Sequence, residues 1–319
     1  MLAASTSAKV EWPTLAMFAV VYLAFGLLTW FHASIPWWLF IPLGAYISTL
    51  HSSLQHETLH GHPTPKLWLN ELLATPGFWL WIPFRVYRTV HLTHHQDENL
   101  TCPVSDPESQ YVHPEVWAKM GPIGRGFRWA NNTLLGRLLL SPWRATIWSL
   151  RRLGIALIEG DRAVLTAWAI HLAGAAVVLG WAIGIAGVPV WLYAITFVYF
   201  GLSGSLLRSF LEHRARPESR ERTVVVEAGP LLSLMFLNNN LHVLHHNEPG
   251  LAWYRLPARW RERREELLAY NGDYRFAGYW QVALNYLVWP KEHPSHPGWQ
   301  RSATLRGANR AMAEPAGTR

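Results

Sequence analysis

Residues 55–62 read QHETLHGH. His56 and His60 stand four apart, so on a helix they lie about 40° from one another around the axis and share a face. The stretch follows directly on a long apolar run, IPWWLFIPLGAYISTL at 35–50. The fold turns on what a pair of imidazoles is doing at the end of such a run.

The composition answers half of this. Half of the 319 residues are hydrophobic and 15% are charged, against about 25% charged in an ordinary soluble domain. There are 19 Trp, a residue that gathers where membrane meets water. The net charge of +7 in this setting suits anionic lipid rather than nucleic acid. Cys102 is the only cysteine, which excludes an internal disulfide and any cluster held by several cysteines of this chain.

A helix needs about 20 residues to cross the hydrocarbon core. Four runs qualify as spans, at about 14–31, 35–55, 163–185 and 188–211, and they pair into two hairpins with tight outer turns. The first is read as a span rather than a signal peptide. No Lys or Arg occurs from residue 10 to 65 or from 163 to 207, so all 28 basic residues fall in three polar segments. Four crossings place those segments on one side, and the positive-inside rule makes that side cytoplasmic. The inner membrane is the site expected if the source is bacterial. Stretches 67–84, 133–150 and 276–289 are apolar but broken by Pro, Gly or charge, and read as interfacial pieces. The expectation is an all-α, multi-pass membrane protein with one domain over 1–293 and a disordered tail over 294–319.

Most of the 16 histidines cluster. After the second run come His56, His60 and His62; HLTHH gives His91, His94 and His95; LEHRA after the fourth run gives His213; NNNLHVLHH gives His242, His245 and His246. Helical spacing puts each H-x-x-H-H triplet on one face, aimed at one small volume. Because the spans deliver His56 and His213 to the same side, all four clusters can meet just below the membrane surface. Neutral imidazole suits iron and zinc alike.

HETLH is a literal H-E-x-x-H, the two-histidine, one-glutamate helix of zinc proteases. Such a site needs one further ligand, and nine converging imidazoles exceed that need. They suit two metals. A soluble-type di-iron carboxylate site needs two Glu-x-x-His pairs, and only Glu57–His60 has that spacing. An intramembrane zinc protease stays as a distant alternative.

The boxes HETLH, HLTHH and HVLHH resemble the three histidine boxes of the membrane fatty acid desaturase superfamily, and EHR at 212–214 resembles the isolated histidine that such enzymes carry between boxes two and three. The resemblance covers about residues 14–290. It implies a cytoplasmic cap holding two iron ions (Fe2+) and using O2. The ligands carried over are His56, His60, His91, His94, His95, His213, His242, His245 and His246, with Asn238, four residues before His242, holding a metal-bound water. The implied reaction is desaturation of the alkyl or acyl chain of a lipid; hydroxylation or ketolation within the same superfamily is the alternative. No dinucleotide fingerprint occurs, and GPIGRGF at 121–127 lacks its spacing. A separate ferredoxin- or cytochrome-type donor with its reductase is therefore expected.

Other polar residues have plainer readings. Asp97, Glu98 and Asp106 are placed to accept the second N–H of a ligand imidazole, whereas Glu108 reads better as part of a solvated loop. Arg85, Arg88, Arg255 and Arg259 could meet an acidic partner or lipid head groups. His62 reads as a neighbour of the site, His171 as an intramembrane polar residue with a helix partner, and His293 and His296 as solvated.

Overall fold

A computed structural model describes residues 9–297. Helices α1 (Trp12–Trp30) and α2 (Trp37–Leu59) form the first hairpin, joined by a short turn at His32–Ser34. Two short helices follow, α3 (Leu67–Ala74) and α4 (Phe84–His94). Next come α5 (Pro114–Lys119), α6 (Pro122–Asn131) and the long α7 (Leu134–Glu159). The second hairpin is α8 (Arg162–Leu179), which runs on through a π turn at Gly180–Ile185, and then α9 (Val190–Tyr193), a π stretch at Ala194–Phe200 and α10 (Gly201–Ser209) as one continuous rod. The remainder holds α11 (Pro230–Met235), α12 (His242–Asn247), α13 (Leu256–Tyr270) and α14 (Tyr279–Tyr286).

Among the described residues, three helices are long and apolar enough to cross a membrane: Trp12–Trp30, Arg162–Ile185 and Val190–Ser209. The helix expected as a fourth span is present as α2, with 23 residues, but its second half carries buried Ser48, Thr49, His51, Ser52, Ser53, Gln55 and His56. Sequence signals set the helix ends. Asp161 caps α8 by accepting from the amides of Ala163 and Val164, and Thr133 caps α7 by accepting from Gly136. Gly160, at φ 71°, closes α7 in the left-handed conformation that costs glycine nothing. The interfacial reading of 133–150 falls short in length, because α7 continues unbroken for 26 residues, through Pro142.

The apolar core packs α1, α2, α8 and the α9–α10 rod around Phe18, Phe25, Phe40, Phe78, Tyr193 and Phe197. Between α2 and the rod the contact is made of small residues. A methyl group added at Gly201 would overlap Ser48, and one at Gly204 would overlap Thr49. Ser48 Oγ donates to the Phe197 carbonyl at 2.8 Å and Thr49 Oγ1 to that of Gly201 at 3.1 Å. Small residues allow two backbones this close, and their hydroxyls serve carbonyls that have no water nearby. The close pairing sets the polar end of α2, with His56 and His60, beside the end of α10, where Arg208, Glu212 and His213 follow.

Two features differ from the sequence reading. Val225–Val226 (β1) and Arg275–Phe276 (β2) form a two-residue parallel pair, too short to leave an alternating pattern. Residues 294–297, expected as the start of a disordered tail, lie against the 111–113 loop: Val112 N–H donates to the Pro294 carbonyl at 2.8 Å and His296 N–H to that of Val112 at 2.9 Å. His296 is thus buried, not solvated. The rest of the expected tail, 298–319, lies outside the described residues.

Candidate metal centre

The histidines expected to converge do so in two groups. His56, His60, His91, His95 and His245 form a five-membered cage, and His94, His213, His242 and His246 a four-membered one; within each, one ring nitrogen from every residue lies within 4.8 Å of the others. Each group could hold a metal ion. The cages abut, with the His95 and His246 rings stacked at 4.3 Å.

The triplets do not share a volume as the helical-face reading expected. His91 and His95 enter the five-histidine cage while His94 enters the other; His242 and His246 enter the four-histidine cage while His245 enters the first. The reason is angular. Residues i and i+4 are about 40° apart, but i+3 and i+4 are about 100° apart, so adjacent histidines on one helix diverge. The two boxes therefore act in opposite senses, each giving a pair to one cage and a single residue to its neighbour.

Ring nitrogens approach closely. His95 Nε2 lies 2.9 Å from His91 Nε2 and 3.1 Å from His245 Nε2, and His213 Nε2 lies 2.9 Å from His94 Nε2 and 3.2 Å from His242 Nε2. Nitrogens bound about 2.1 Å from one ion at roughly right angles would be about 3 Å apart. His60 Nε2 is buried and has no hydrogen-bond partner among the described residues. A buried, unpaired ring nitrogen facing four other imidazoles fits a metal ligand and is costly otherwise. Burial, reinforced by neighbouring imidazoles, holds His91, His242 and His245 well below the usual histidine range, which keeps the lone pair a metal needs. His94 is the exception. Burial lowers it too, but Asp106 and Glu108 outweigh burial and push it up to about 9.

Polar groups fix the outer ring nitrogens. His94 Nδ1 is 2.9 Å from Asp106 Oδ1 and His91 Nδ1 is 3.0 Å from Glu108 Oε1. Asp106 matches its expected role, and Glu108, expected to be solvated, also holds a ring. The side chain of Asp97 lies outside the described residues. Asn239 bridges the cages: its Oδ1 is 3.0 Å from His242 Nδ1, and its Nδ2 is 3.2 Å from the His56 ring. Glu212 stands 3.6 Å from His242 Nδ1 and pairs with Arg208 at 2.6 Å. Thr223 Oγ1 lies 3.5 Å from His213 Nδ1. The sequence reading missed Asn239, Glu212, Arg208 and Thr223. The 208–212 spacing next to EHR was the one local signal for two of them.

Asn238 sits in a left-handed turn rather than on a helix that leads into His242. Leu237 and Asn238 have φ of 47° and 59°, and α12 begins only at His242, so the i−4 alignment with His242 is broken. Asn238 Nδ2 donates to the Trp253 carbonyl at 3.0 Å instead. Glu57, the middle of H-E-x-x-H, also faces away: its Oε1 accepts from Trp253 N–H at 2.9 Å and lies 3.9 Å from His62. His62 is buried with Nδ1 2.8 Å from Glu11 Oε1. His171 donates to the Leu80 carbonyl at 2.7 Å, the plain helix-partner role. Arg85 pairs with Glu71 and Arg259 with Glu248.

The sequence profile of the fatty acid desaturase family matches residues 32–278, which contain all nine caged histidines, and the chain belongs to that family. No curated protein matches the chain. Family and apolar helices together make it a membrane protein, and family and cages together make it an oxidoreductase of the desaturase and hydroxylase type.

Proposed function

We propose that this protein is an O2-dependent two-iron enzyme that removes two hydrogens from adjacent carbons of the alkyl or acyl chain of a lipid. The observation that carries the reading is the pair of abutting all-histidine cages at the polar ends of α2 and α10. The five-histidine group would hold one iron and the four-histidine group the other. Iron supplies O2 activation strong enough to break an unactivated C–H bond. The balance is two C–H bonds broken and one C=C formed, with O2, two electrons and two protons ending as two waters. The electrons come from a separate ferredoxin- or cytochrome-type carrier with its reductase.

The chain's own residues do the holding. Asp106, Glu108 and Asn239 fix ring orientation through Nδ1 and leave Nε2 turned inward. Burial of both cages keeps bulk water away from them. We read α2 as the remaining crossing that makes four spans, on which reading both termini and both cages lie on the cytoplasmic side; the absence of Lys and Arg from the apolar runs supports this. Expression with and without the protein, followed by mass spectrometry of total lipid, tests the reading. A product lighter by two hydrogens is expected. A product heavier by one oxygen would make the enzyme a hydroxylase. Anaerobically purified protein with a single zinc, and no lipid change, would overturn the reading.

A further inference from the structure

A second cluster of charge lies behind His213, and it is unbalanced. Arg137, in the second turn of α7, is 2% exposed. Its Nε reaches the Asn131 carbonyl at 3.4 Å, its Cζ sits 5.7 Å from the centre of the Phe210 ring, and its Nη1 has no hydrogen-bond partner among the described residues. Lys291 approaches the same ring, with Nζ 5.9 Å from its centre, and donates to the His213 carbonyl at 2.7 Å. Lys291 pairs with Glu292 at 3.1 Å. Arg144, two turns along α7, donates to Gln110 Oε1 at 3.1 Å. Arg137 thus lies within electrostatic reach of Arg144 and Lys291; Lys291, which also feels Arg214, has Glu292 as its paired carboxylate, and Glu212, the acid that acts on Arg137, is committed to Arg208.

A buried guanidinium is expensive unless an anion or a full set of acceptors satisfies it. Burial, and then the neighbouring Arg144, pull Arg137 down to about 9 against the opposing effect of Glu212, so the nearby carboxylate does not fully compensate the buried guanidinium. An oxyanion on Nη1 would complete both the hydrogen bonding and the charge. The rim suggests the rest of the ligand. Leu135 and Leu139 of α7 and Leu287 and Val288 beyond α14 are exposed beside the cluster, and Leu135 N–H donates to the Leu287 carbonyl at 3.0 Å. A free inorganic ion has no use for such a rim, whereas an amphiphile does.

We infer that Arg137, Arg144 and Lys291 receive the anionic head group, a carboxylate or a phosphate, of the lipid that the caged metals oxidise. The assignment of this ligand as the substrate rests on the reading given under Proposed function. Binding is the test, on full-length protein in an uncharged detergent. The probes are a spin-labelled fatty acid, its methyl ester, a lysophospholipid bearing a terminal phosphate, and inorganic phosphate as competitor. One charged amphiphile should bind at least tenfold more tightly than the ester, and the carboxylate and phosphate arms say which. Arg137→Gln and the half-buried Arg144→Gln should each remove most of that preference while leaving ester binding unchanged. Arg144→Gln keeps the test open if Arg137→Gln fails to fold. Equal binding of acid and ester, or full competition by inorganic phosphate, would overturn the head-group assignment. Charge-selective binding without any lipid oxidation in cells would instead leave the receptor standing and remove the enzymatic reading.

Discussion

The five-histidine and four-histidine cages lie side by side, yet they are held differently. The first draws every ring from a helix or from the residue that caps its C-terminal end: His56 from α2 and His60 from its cap, His91 from α4 and His95 from its cap, and His245 from α12. The second depends on His213, which lies beyond α10 in an extended segment bridged to Thr223. Its side-chain support, Thr223, is at the limit of a hydrogen bond, and its backbone carbonyl is taken by Lys291. One cage is therefore built by local helical geometry and the other by a long-range clasp. The helical cage should tolerate perturbation of loops, and the clasped cage should be the first to lose order.

A ranked series of substitutions can break or sharpen this contrast. The largest effect is expected from a caged ring in either group. His245→Ala and His94→Ala should each abolish turnover while the protein still inserts, with metal analysis showing a deficit; retained activity in either would remove that residue from the proposed ligand set. Next comes Asp106→Asn, beside the buried His94, which should weaken metal retention about 10- to 100-fold in a chelator challenge. Glu108→Gln should do less, because the Glu108 side chain is 27% exposed against 2% for Asp106. Equal losses would mean that burial does not grade these supports.

The asparagines give a smaller and sharper test. Asn239→Ala removes contacts to a ring in each cage and should lower metal affinity about tenfold. Asn238→Gly keeps the left-handed turn and should change stability by no more than about 1 kcal/mol, read from thermal unfolding. The reverse order would restore Asn238 to the place first expected for it. The smallest effect belongs to Glu57→Gln, whose amide oxygen can still accept from Trp253; turnover within about tenfold of the parent is expected, far above that of His60→Ala. Equal and complete loss in both would favour the H-E-x-x-H protease chemistry.

The nine histidines were legible because metal-ligand spacing on a helix is local, and the charge-free runs were legible because a bilayer penalises charge over a whole span. The division of rings between the cages was within reach of the same geometry, since His94 and His95 diverge by about 100° on any helix. What escaped depends on distant contacts or on a break in helical phase. The left-handed residues Leu237 and Asn238 break the helical phase ahead of His242, so a rule that assumes an unbroken helix does not carry across them. Glu108 looked solvated because nothing nearby in sequence tells that its loop folds back over His91. Val225 and Arg275 pair across 50 residues in a ladder only two residues long.

The third box supplies a ring to both cages, and the clasp on His213 comes from Lys291. During synthesis the first two boxes leave the ribosome some 150 residues before the third, yet neither cage can be complete until residue 246 has emerged, and the second lacks its clasp until residue 291 has followed. Metallation of the proposed sites would thus be a late event in the life of the chain. A nascent protein interrupted before residue 246 would sit in the membrane with neither group of histidines complete, and so without the sites at which metal-dependent redox chemistry is proposed to start.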